Sequence, residues 1–280
     1  MRKMRTSRNL WWLSACLLAV SIVLLPACSD DDPDPVEQTG KLRITFHHHL
    51  DGAPLVVDQM IYENEAGNPY LVTELQYFIS DVVLHHENGT DVPVKEWEVM
   101  HYVDNDIPST MVWDVYDPLP TGDYESISFV FGIKQEKNIT LMFPNPPERD
   151  MFWPVFLGGG YHYLKMNGKW KRPDEYVASF DFHLGIGQIY ASNVIVVDSI
   201  TGYVDNAPTL DIPNSGFTIT AGQVTDFDLV MNIENWWRSP HVLDLDVIGA
   251  YTMQNQEVMQ KMRENAHDVF SVGTTKGTER

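Results

Sequence analysis

The chain has 280 residues, 44% hydrophobic, 11% aromatic and 21% charged, which excludes a disordered or collagen-like polypeptide and supplies a sizeable core. With 19 Lys+Arg against 39 Asp+Glu, the formal net charge is −20, and without any basic block nothing draws the chain to nucleic acid. That acidity favours solubility and cationic partners such as metal ions.

Arg2, Lys3, Arg5 and Arg8 form a positive n-region, residues 10–25 are an apolar run broken only by Ser14 and Ser21, and the run closes on Leu25-Pro26-Ala27-Cys28. This is the pattern of a secretory signal peptide over residues 1–27, slightly short for a membrane-spanning helix. The Ala27-Cys28 junction resembles a bacterial lipobox, in which Cys28 becomes the lipidated N-terminus. Cys16 leaves with the signal and Cys28 is acylated, so the mature domain has no disulfide, cysteine nucleophile or thiolate metal ligand. Ser29-Asp30-Asp31-Asp32-Pro33-Asp34-Pro35 makes residues 28–40 an acidic tether. The tether resembles the export tag of Bacteroidota surface lipoproteins. The expected location is the outer membrane, held by the lipid anchor alone and facing outward.

Residues 41–50 alternate, with Leu42, Ile44, Phe46, His48 and Leu50 on one side and Arg43, Thr45, His47 and His49 on the other. Residues 71–86 form a long strand that ends near Asn88-Gly89, a hairpin turn signal. Further strands are expected over residues 92–103, 124–133, 161–166, 177–184, 192–200, 217–220 and 224–233, separated by Gly, Pro, Asn and Asp. In residues 254–270, Val258, Met259, Met262, Ala266, Val269 and Phe270 recur at helical spacing. The expected fold class is all-β, an antiparallel β-sandwich with one C-terminal α-helix, as a single domain over residues 41–272 with a flexible tail at 273–280.

No Gly-x-Ser-x-Gly, Walker loop, His-Glu-x-x-His or Gly-x-Gly-x-x-Gly occurs, so a non-enzymatic role is expected. Gly158-Gly159-Gly160 reads as a bend or close backbone approach rather than an anion nest. The paired acids Asp226/Asp228 and Asp244/Asp246 read as solvated faces, and the scattered methionines as core filler. With thiols gone, a transition-metal site must use imidazole, carboxylate or water. His48 faces inward, whereas His47 and His49 face solvent. His162 follows the triple glycine, and His183 sits in Phe182-His183-Leu184-Gly185. The two segments read as arms of one hairpin joined through residues 167–176, which sets the histidines about one rung apart, close enough to share an ion. A one-residue slip would place them on opposite faces. Asp181 or a backbone carbonyl is the expected acceptor for the other nitrogen of His183. The remaining tryptophans, Trp97, Trp113, Trp170, Trp236 and Trp237, read as core anchors.

Phe46, Gly52, Pro54-Leu55, Tyr62, Ala66-Gly67-Asn68 and the run Val72-Thr73-Glu74-Leu75-Gln76-Tyr77-Phe78-Ile79-Ser80-Asp81 resemble the MbnP-like family. So do His101-Tyr102-Val103-Asp104, Gly122-Asp123-Tyr124, Phe131-Gly132-Ile133, Met151-Phe152-Trp153, Gly160-Tyr161, Phe182-His183-Leu184-Gly185 and Asn265-Ala266-His267-Asp268-Val269-Phe270. The resemblance spans nearly the whole mature domain and implies a secreted β-sandwich that binds one copper ion. It implies two histidine ligands aided by a tryptophan that a partner di-haem, peroxidase-like protein oxidises to kynurenine. Carried onto this chain, it makes His183 a ligand and Trp153 the candidate for the modified ligand; His162 is the second ligand on the hairpin argument. The family often shows Met-x-Trp-x-Trp, whereas this chain reads Met151-Phe152-Trp153-Pro154-Val155, without the second tryptophan. The expected function is copper acquisition or storage at the cell surface. The alternative is a metal-free β-sandwich that binds protein or glycan, with Trp236-Trp237 stacking on sugar.

Overall fold

Period-two alternation makes the first strand a ribbon buried on one side: Leu42, Ile44, Phe46, His48 and Leu50 are buried, and the residues between them are half-buried. The computed structural model describes residues 38–95 and 100–273. The signal peptide, Cys28, most of the tether, Trp97 and most of the tail lie outside the described residues. The principal strands are β1 (Thr39–Leu50), β2 (Pro69–His86), β3 (Met100–Asp104), β4 (Gly122–Phe131), β5 (Leu164–Lys171), β6 (Val177–Leu184), β7 (Thr209–Ile212), β8 (Val224–Asn232) and β9 (Phe270–Val272), with helix α1 at Gln256–Asn265.

One sheet runs β9-β8-β1, with short strands at Ala53–Pro54, Val112–Asp114 and Leu119–Pro120 beside β1. The other runs β6-β5-β2-β4-β7, with β3 also paired to β2. Strands β1 and β8 are parallel, and the other strand pairings described are antiparallel. Aromatic rings join the sheets face to face. Tyr77 of β2 meets Phe46 of β1 at 6.3 Å and Phe270 of β9 at 6.1 Å, and Phe129 of β4 meets Phe270 at 5.3 Å. Burying each such ring contributes roughly 1.5–3 kcal/mol, so this seam is a main source of stability. The fold is the expected β-sandwich with its C-terminal helix.

Several boundaries differ from the sequence reading; where one strand is expected over residues 92–103, Asp91–Pro93 and Met100–Asp104 are separate strands, with Val94 and Lys95 outside both. The apolar run at 192–200 is not a strand: Val194 and Ile195 are 59% and 55% exposed, and the strand is Ile200–Val204, paired with Gly187–Tyr190. Hydrophobicity predicts burial, but a strand also needs a neighbour with free backbone groups, and Gly187–Tyr190 offers it to the later segment. The helix, capped by Asn255 accepting from the Val258 N–H, ends at Asn265, and Phe270 instead pairs with Met231. The strand expected at 161–166 starts at Leu164, which leaves His162 outside the ladder.

Trp236 and Trp237 close the end of β8 and are both fully buried, with Trp237 at 4.4 Å from Phe182. They are core anchors, so the surface stacking platform proposed for them is corrected: neither ring can lie flat on a sugar.

Candidate metal centre

Strands β5 and β6 form the expected hairpin, with Lys165 opposite His183 and Asn167 opposite Asp181. Strand β6 is the outer strand of its sheet, and the segment after β8 covers its backbone there. Ala250 accepts from the Asp181 N–H, and Thr252 Oγ1 accepts from the His183 N–H at 2.8 Å while donating to the His183 carbonyl at 2.6 Å. Thr252 therefore fixes the backbone of His183 from outside the sheet, as a missing neighbour strand would.

His162 reaches the same place by a different route. It stands three residues before Lys165, so a straight strand would carry its side chain to the other face. Gly158, Gly159 and Gly160 all have positive φ, and a Cβ on Gly159 would lie 2.3 Å from Thr140 Oγ1. This bend returns the chain against residues 151–153: Gly160 O accepts from the Trp153 N–H, and Met151 O accepts from both the backbone N–H and the ring Nδ1 of His162, at 2.7 and 2.9 Å. The rings of His162 and His183 then meet at 4.9 Å between centres with planes at 90°. An ion bonded at about 2 Å to each imidazole lies roughly 3.2 Å from each ring centre, so two rings can share it when their centres are within about 6.4 Å.

Hydrogen bonds decide which nitrogens face the shared space. Met151 O can only accept, so His162 Nδ1 carries the proton and Nε2 keeps a lone pair. His183 Nε2 lies 2.7 Å from Asn167 Oδ1, and the Asn167 amide is oriented by donating its Nδ2 to Glu74. His183 Nε2 is thus the donor and Nδ1 keeps the lone pair. The two lone-pair nitrogens, His162 Nε2 and His183 Nδ1, are both buried without a hydrogen-bond partner. Burial holds the pKa of His162 down to about 3 and that of His183 to about 2; the charge of His162 lowers that of His183 further, and Lys165 pushes both the same way. At neutral pH both rings are neutral.

Trp153 is fully buried edge-on to His162, 4.7 Å between ring centres at 69°, with Nε1 donating to Leu157 O. Gly185 explains the glycine after His183-Leu184: a Cβ there would lie 2.6 Å from the Trp153 ring. The structure thus gathers His162, His183 and Trp153. It corrects the role of Asp181, because the acceptor on His183 is Asn167. Asn167, Glu74, Thr252 and the Met151 carbonyl escaped the sequence reading. Asn167 is diagonal to His183 only once the register is known, and a backbone carbonyl has no residue signature. Among the described residues no three His, Asp or Glu side chains converge as a metal group.

Three of the other histidines, His101, His48 and His85, have structural partners. His101 is stacked between Phe46 and Trp113 and donates to Thr110 O. His48 is buried against the Tyr77 hydroxyl. His85 lies between Asp91 and Ser128 Oγ, at 2.7 and 2.8 Å, with Ser128 buried in β4 between β2 and β7.

The MbnP family model matches residues 39–260. The chain belongs to the MbnP family. Both histidines, Trp153 and Asn167 fall inside the matched span. Among solved structures, MbnP from Methylosinus trichosporium is similar with 12% identity and a TM-score of 0.48, over 73% of this chain and 80% of that one. Among curated proteins, none matches.

Proposed function

We propose that this MbnP-family protein binds one copper ion between His162 Nε2 and His183 Nδ1, and serves copper acquisition or storage without catalysing a reaction. The observation that carries the reading is the convergence of two buried, neutral, unpartnered imidazole nitrogens whose opposite nitrogens are each held by an acceptor. Leaving both lone pairs unbonded in the core is destabilising, and a metal ion is the partner that satisfies two acceptors at once. Imidazole suits copper, and the desolvation penalty of an ion rises steeply with its charge. With Lys165 close by and no carboxylate among the ligands, a monovalent ion fits better than a divalent one, which favours Cu(I).

Trp153 lies against His162 and is the residue that oxidation to kynurenine would convert, by the action of a di-haem partner. Opening the indole five-membered ring would turn Nε1, which donates to Leu157 O, into an aryl amine and add a ketone oxygen beside the histidines. Lipidation at Cys28 would hold the domain on the outer membrane, facing outward. Replacing Cys28 with Ala should then leave the precursor unprocessed.

The test is metal analysis of protein purified without added copper, followed by Cu(I) titration against a chelator of known affinity. One equivalent bound in the wild type, and loss of it in His183→Ala, supports the reading. Equal uptake by both proteins overturns it.

A further inference from the structure

The outer face of β1 carries a second pair of imidazoles. His47 and His49 are two residues apart on one strand and point away from the core. Their ring centres are 6.3 Å apart, inside the roughly 6.4 Å reach that lets two imidazoles share an ion. His47 Nε2 is held at 2.8 Å by Asp228, an outward residue of the neighbouring strand β8. That contact leaves Nδ1 of His47 as the nitrogen open to a metal and fixes the orientation of the ring from behind.

The bond to Asp228 accounts for one nitrogen of His47 and for nothing of His49. His47 is 41% exposed at its side chain, and His49 has no hydrogen-bond partner among the described residues. Elsewhere on this face charges are matched, as Arg43 is by Asp114 and Asp226. A pocket of about 390 Å³ has Phe46, His47, His48 and His49 in its lining together with Asp106 and Met111.

We propose that His47 and His49 form a second, surface site that chelates one exchangeable divalent transition-metal ion, Cu(II) in preference to Zn(II), with Asp228 supporting His47. Two neutral imidazoles completed by water suit both ions, and copper stands above zinc in the divalent affinity order. Open water and the carboxylates of Asp228 and Asp106 lower the penalty for a doubly charged ion here, on a chain of net charge −20. The site is independent of the buried centre and stands whether or not that centre holds copper.

The experiment titrates Cu(II) into full-length protein by calorimetry, with electron paramagnetic resonance to count nitrogen ligands. Wild type, His49→Asn, Asp228→Asn and a His162→Asn/His183→Asn double variant are compared. The expected result is a two-nitrogen Cu(II) class in wild type that is lost in His49→Asn, weakened by about tenfold in Asp228→Asn and kept in the double variant. Zn(II) should displace it only in excess. Identical titration of wild type and His49→Asn would overturn the proposal, as would disappearance of the class in a folded double variant. A measurement on wild type alone also decides: substoichiometric Cu(II) must broaden the imidazole proton resonances of His47 and His49, and sharp resonances refute the site.

Discussion

The two histidine pairs use the same side chains in opposite surroundings. His162 and His183 are 6% and 7% exposed, reach each other across a bend in the chain, and each has one nitrogen fixed by a neutral acceptor, Met151 O or Asn167 Oδ1. His47 and His49 come together through strand geometry alone, are open to water, and have one nitrogen fixed by the carboxylate of Asp228. The first arrangement keeps the rings neutral, dry and rigid, which suits a low-charge ion held for long periods. The second leaves rotamer freedom and a negative neighbour, which suits a doubly charged ion that exchanges. Burial and the partner of the second nitrogen separate the two pairs.

Acid should act most strongly, and through buried rings. His48 and His162 have native pKa values near 3 and His183 near 2, all lowered chiefly by burial from an ordinary 6.5. Folded, they bind fewer protons than unfolded, so stability is full above 6.5 and is lost as pH falls through 6.5 towards those values. Each group contributes a slope of about 1.4 kcal/mol per pH unit within that window. Metal-free protein should therefore lose several kcal/mol between pH 6.5 and 4, read by urea denaturation. A flat profile there would mean that the rings are not held neutral.

Removing a buried ligand comes next. His162→Ala or His183→Ala should weaken Cu(I) binding by more than the 10- to 100-fold typical of losing a ligand's supporting hydrogen bond. A chelator competition that shows less than tenfold loss would break the assignment of either ring. Gly185→Ala should destabilise the metal-free fold by about 1–3 kcal/mol, because the added Cβ meets the Trp153 ring at 2.6 Å. Thermal unfolding checks this, and a neutral result would show that the indole can move away from His162.

Asn167→Ala sharpens the comparison further. It frees the ring of His183 to turn and change tautomer, and should cost about tenfold in Cu(I) affinity without altering the stoichiometry. The smallest effect belongs to the outer pair: His49→Ala should change unfolding stability by no more than about 0.5 kcal/mol, since the side chain is half-exposed and unbonded.

The β-sandwich was legible because its strands alternate strictly where one face is buried, as in β1, and because the β5–β6 hairpin has unambiguous arms. The segment at 192–200 misled because its apolar residues carry no information about pairing, and strand formation there depended on a distant ribbon. Trp236 and Trp237 could be read as exposed or buried from sequence, and only the closing of β8 onto the other sheet buried them.

At the candidate site, residue type, lack of thiols and the family motifs singled out His183 and Trp153 from the chain alone, and hairpin counting added His162. Their meeting was not a matter of hairpin counting: by register His162 is out of step with His183, and the glycine bend brings it in. Side-chain chemistry is local and is carried by the sequence itself. Which nitrogen keeps its lone pair depends on Met151 O and on the Asn167–Glu74 contact, 11 to 109 residues from the histidines they orient. Such contacts exist only after the sheets have packed, because a backbone carbonyl becomes a specific partner through its position in space.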